Sequence, residues 1–89
     1  MLVLPTDITH ANARTCAHML AQALRSQSQA VVADASSLQK FDSSAIAVLL
    51  ECRREAQIHG KSFSVRGLPE RLRSLAALYG VAQLLPATP

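Results

Sequence analysis

In this chain of 89 residues the types and order best placed to do chemistry are Asp42, Ser43 and Ser44. They follow an apolar run at Ala30–Ala33 and a polar loop, and they open a segment whose apolar spacing predicts a helix. The first N–H groups of a helix have no partner inside it, so a side-chain oxygen or an incoming anion satisfies them. In the simplest role Asp42 or Ser43 is an N-cap. In a second role Ser43 is an exposed hydroxyl and a candidate phosphoacceptor. Phosphorylation there adds about −1.5 to −2 charges. The positive helix end tolerates that charge, whereas a partner packed there, facing Asp42 as well, does not.

The faces of this helix sharpen the reading. At about 100° per residue, Ala45, Leu49, Cys52 and Ala56 form one stripe, flanked by Ile46 and Val48, that should face a sheet. Opposite lie Ser43, Ala47, Leu50, Arg54 and Ile58. Small and apolar residues on a face turned to water, bordered by one arginine, suit the docking of another protein. Asp42, Ser43, Ser44, Ala47, Leu50 and Arg54 are therefore the candidate partner-binding residues.

The remaining elements are short and alternate. Leu2–Leu4, stopped by Pro5, reads as a strand. Thr6, Asp7 and Thr9 offer N-cap oxygens to a helix marked by Ala13, Ala17, Leu20, Ala21 and Leu24 and ending at Ser26. Ala30–Ala33 reads as a central strand covered on both faces. Leu38 and Phe41 tuck under the sheet edge. The Asp42 helix stops at Gly60, and Ser62–Arg66 alternates with period two, placing Phe63 and Val65 inward. Pro69 and Glu70 start a third helix, with Leu72, Leu75, Ala76 and Tyr79 as its buried stripe and Gly80 as its stop. This order predicts an α/β fold with helices packed on a small sheet.

Composition narrows the function. With 49% hydrophobic and 17% charged residues the chain has the balance of a globular domain. The +3 charge comes from nine Lys or Arg against six Asp or Glu, without a basic cluster beside stacking aromatics, so no nucleic-acid partner is expected. The longest apolar run, Ala45–Leu50, falls far short of the ~18 residues that span a bilayer. The first residues lack the basic start and length of a signal peptide, so a cytoplasmic location with Cys16 and Cys52 as thiols is expected. His10, His18 and His59 lack metal-ligand spacing, and no Gly-rich loop or nucleophile-base arrangement is visible; neither a metal, a cofactor nor a catalytic residue is expected.

The stretch from Val31 to Leu50 resembles the signature of STAS domains, the fold of anti-sigma-factor antagonists and of sulfate-transporter tails. An apolar strand ends in an acid, Asp34; a loop carries a leucine, Leu38; and Asp42-Ser43-Ser44-Ala45-Ile46 follows the family's D-[ST]-[SG]-[GA]-L, with Ala45 where the family has glycine and Ile46 in the leucine's place. In regulatory members the residue after the aspartate is phosphorylated by a kinase, which falls on Ser43 here. Leu75-Ala76-Ala77-Leu78-Tyr79 followed by Leu84-Leu85-Pro86 resembles the close of MlaB-type STAS proteins, cytosolic subunits of the MlaFEDB-type ABC system that moves phospholipid between the membranes of diderm bacteria. Where the MlaB type carries threonine, this chain has Ser43.

The resemblance implies a single STAS domain over residues 1–89, with a small mixed sheet and the N-terminal strand missing or shortened. It implies a non-enzymatic subunit that docks on the MlaF-like ATPase subunit, supports its assembly or activity, sits beside the inner membrane through that partner and inserts into no membrane itself. The alternative it implies is an anti-sigma-factor antagonist whose partner is an anti-sigma factor with serine-kinase activity. A small-ligand sensor, with an anion at the helix mouth, is a third reading.

Overall fold

Five short extended runs pair as strands, and the three longer 3.6-periodic segments form helices. In chain order they are β1 (Leu2–Val3), β2 (Asp7–Ile8), α1 (Ala13–Leu24), β3 (Ala30–Asp34), β4 (Lys40–Phe41), α2 (Ser44–Ile58), β5 (Ser62–Arg66) and α3 (Glu70–Leu78), with a 3-10 turn at Ala82–Leu84. The computed structural model describes residues 1–88, so Pro89, the last residue of the expected domain, lies outside them.

The main sheet has the order β1-β3-β5, with Val31 opposite Phe63 and Leu2 opposite Ala33. β2 and β4 form a separate pair beside it. Every strand pairing among the described residues is parallel, where a mixed sheet was expected. A parallel pair needs a long crossover, and α1 and α2 supply it. β1 forms the sheet edge among the described residues.

One core joins the sheet to the helices: Val31, Ala33 and Val65 meet Leu20, Leu24, Leu49, Cys52 and Leu72, all buried. Coverage of β3 on both faces is not what the fold shows. Val31 and Ala33 are sealed, but Val32 and its neighbour Ser64 are half-exposed on the far side, as strand alternation requires when the core lies on one face. Leu38 is buried and Phe41 half-buried, and the Arg71 guanidinium of α3 lies 5.3 Å from the centre of the Phe41 ring.

Three local expectations change. Thr6, Asp7 and Thr9 do not cap α1; Asp7 is in β2, and the helix starts after Asn12, whose Oδ1 accepts the Thr9 N–H at 2.8 Å and whose Nδ2 donates to the Asp7 carbonyl. The buried stripe of α1 is Cys16, Leu20 and Leu24, leaving Ala13, Ala17 and Ala21 half-buried. Tyr79 is 56% exposed, because it is the last residue before Gly80 turns the chain away.

The two sides of the layer are tied at their ends. The Lys61 ammonium, at the start of β5, donates to the carbonyls of Leu24, Arg25 and Gln27 and so satisfies the end of α1. The end of α2 closes on itself: the Lys61 N–H reaches the Ala56 carbonyl and the Gly60 N–H the Gln57 carbonyl.

Candidate functional site

The segment from Ala35 to Phe41, a loop that ends in β4, leaves the central strand, is pinned by Leu38 in the core and delivers Asp42 to the start of α2. Asp42 rather than Ser43 acts as the cap. Its Oδ1 accepts the Ser44 N–H at 2.8 Å, and its own carbonyl accepts the Ala45 N–H at 3.0 Å. The other oxygen, Oδ2, accepts the His10 N–H at 2.9 Å from the loop after β2. One carboxylate therefore clamps two segments that lie far apart in the chain.

With Asp42 so engaged, Ser43 has no capping work. Its backbone is already helical, its side chain makes no cap hydrogen bond, and the residue is exposed. Ala47 and Arg54 are exposed beside it along α2, Ile58 is 61% exposed at the far end, and Leu50 is half-buried at the margin. Arg54 reaches only Glu51, at 3.4 Å. Ser44 is half-buried and gives its N–H to Asp42. The stripe expected to face the sheet, Ala45, Leu49, Cys52 and Ala56 with Ile46 and Val48, is buried throughout. The structure thus places the six candidate residues on one end and one outward face of α2.

The helix mouth is not an open anion site. The N–H groups of Ser44, Ala45 and Ile46 are taken by Asp42 Oδ1, the Asp42 carbonyl and the Ser43 carbonyl. This removes the feature on which a small-anion sensor rested. Among the described residues no group of three or more His, Cys, Asp or Glu side chains could hold a metal ion, and no helix is long and apolar enough to cross a membrane. Cys16 and Cys52 are buried between the helices; burial pushes the Cys52 thiol up to about 12 and raises Cys16 as well. Neither is a reactive thiolate near neutral pH.

The two N–H donors on Asp42, His10 first and then Ser44, hold its carboxyl below the ordinary value near 3.8. Because the folded value is depressed, the contribution of Asp42 to stability is present above the ordinary carboxylate value and is lost as pH falls through the lower folded one. Asp34, held down by the hydroxyl and N–H of Ser36, adds to the same acid loss. Thermal melts followed by circular dichroism from about pH 5 to pH 2 should show the melting temperature falling, with a shallower fall for Asp42→Asn, which has no charge to lose. An unchanged slope in that variant would show that the clamp carries no linkage.

Sequence reasoning found Asp42 but not what it holds. His10 lies 32 residues away, and no local signal joins the two.

A family model described as "Mlab, STAS domain" matches residues 1–86. No curated protein matches the chain. Among solved structures the chain is similar to the anti-sigma factor antagonist SpoIIAA in its unphosphorylated form, with a TM-score of 0.72 and 14% identity, over 98% of this chain and 76% of that one. At that identity the likeness speaks for the fold.

Proposed function

We propose, because this chain belongs to the STAS domain family and to its MlaB-like group, that residues 1–89 act as one domain that binds the ATPase subunit of a phospholipid ABC transport system and supports its assembly or activity. STAS domains are typically non-enzymatic binding and regulatory modules, and a protein-interaction role is the family's common ground. The observation that carries the reading is the exposed Ser43 hydroxyl, free of capping work, on a helix start made rigid by Asp42. Such a surface is ready before the partner arrives, so little ordering cost opposes docking. The contact would use Asp42, Ser43, Ser44, Ala47, Leu50 and Arg54, and it would hold the domain at the cytoplasmic side of the inner membrane without inserting it.

The second reading is a partner-switching antagonist of an anti-sigma factor with serine-kinase activity. It is favoured by one feature, a serine where the MlaB type has threonine, with its hydroxyl open to a kinase. Affinity purification of the tagged chain from its native cell, with identification of bound proteins, separates the two. Recovery of an ABC ATPase supports the first, recovery of a serine kinase that modifies Ser43 supports the second, and recovery of neither overturns both.

A further inference from the structure

A groove follows the seam between α1 and α2. It abuts the docking face at Ala47 but depends on nothing said of Ser43. One stretch, of about 280 Å³, has Ala13, Ala17, Ala47 and Val48 as its floor. It runs into a cleft of about 370 Å³ that continues over Ala17 and Ala21. The rims carry opposite charge: Arg14 on α1 and Arg25 at its C-cap, Glu51 and Glu55 on α2. Arg14 and Glu51 border both stretches.

These rims do not neutralise each other. Glu51 lies 3.4 Å from Arg54 and Glu55 3.5 Å from the His59 ring, both within α2 and its cap, so among the described residues Arg14 and Arg25 have no acidic partner. The Arg54 to Glu51 pair is exposed and weak, and Glu51 can exchange it for another. An occupant of the groove must therefore bring acid over α1 and base over α2.

The chain itself has that pattern, and we propose that the groove is occupied by a second copy. A two-fold axis lying along the groove places α1 of one copy over α2 of the other and preserves position along the seam. Since Arg14 and Glu51 border the same stretch, Arg14 of each copy then meets Glu51 of the other. Every match occurs twice, as a self-complementary contact requires. The alanines at Ala13, Ala17 and Ala21 let the facing helices approach closely. The +3 charge on each copy opposes the approach at long range, so the dimer forms at high protein concentration.

Sedimentation velocity over a wide concentration range tests this. The wild-type chain should shift from monomer to dimer. Arg14→Glu alone and Glu51→Arg alone should each raise the dimer dissociation constant about tenfold or more, and the double reversal should restore it, because it rebuilds the pair with its signs exchanged. Circular dichroism checks that each variant is folded; if a reversal unfolds the domain, Arg14→Gln and Glu51→Gln read the same loss. A chain that stays monomeric up to its solubility limit, a dimer indifferent to the single changes, or one that the double change does not restore would overturn the proposal.

Discussion

Ser43→Asp is expected to weaken binding to the proposed ATPase partner at least about 100-fold, while the circular dichroism spectrum and melting temperature stay near those of the parent. Two sides of the structure lead there. On the folding side, Ser43 makes no side-chain cap bond, so its replacement removes no bond, and a carboxylate at a helix start is favoured by the helix dipole. On the binding side, the new charge lies next to Asp42, whose carboxylate is already committed to His10 and Ser44 and cannot move away. Covering an unpaired carboxylate with a partner surface costs several kcal/mol. Ser43→Ala is the control: it deletes a hydroxyl without adding charge, and binding should stay within about threefold of the parent. Titration calorimetry with the purified ATPase subunit reads both. Equal affinities for parent and Ser43→Asp would place the contact elsewhere on the domain.

How much of this arrangement was legible in the sequence depended on the range of the interaction. The faces of α2 were legible because fifteen residues give several turns of a 3.6-residue pattern, and all six residues expected inward are buried. β5 was legible because Ser62–Arg66 is long enough to show alternation between a glycine and a turn. β2 and β4 were not, since two-residue strands have no period to read and exist only through each other. The start of α1 was misplaced because several upstream oxygens resemble caps, and only the folded turn shows Asn12 bonded back to Thr9 and Asp7. The alanines of α1 fit a core stripe as well as a groove floor, and Cys16, a small hydrophobe to the fold, takes the core position instead. At the candidate site, the exposed serine was visible in the helix pattern, whereas the Asp42 to His10 clamp is a tertiary contact with no local signature.

Gly67→Ala should destabilise the domain by about 2–4 kcal/mol, lowering the melting temperature by roughly 10–25 °C. Gly67 has φ +68, where an added Cβ is strained, and that Cβ would lie 2.8 Å from the Ser36 Cβ and 3.1 Å from its Cα. The obstacle is backbone and a short side chain, so it cannot swing aside. Ser36 is itself fixed: its N–H and hydroxyl are bonded to Asp34, and the neighbouring Ala35 N–H donates to the Arg66 carbonyl at 2.8 Å. Gly60→Ala separates the two costs, because Gly60 has nearly the same φ, +69, with nothing within 4 Å of an added Cβ. It should lose only the backbone part, about 1–2 kcal/mol. The difference between the variants measures the contact with Ser36, and chemical denaturation of both gives it directly. Because Ser36 lies in the loop that brings Asp42 to α2, relief of the clash by displacing that loop would also weaken the His10 bond and, with it, the proposed docking. A Gly67→Ala domain no less stable than Gly60→Ala would mean that β5 and this loop separate freely, and that the helix start owes its position to Asp42 alone.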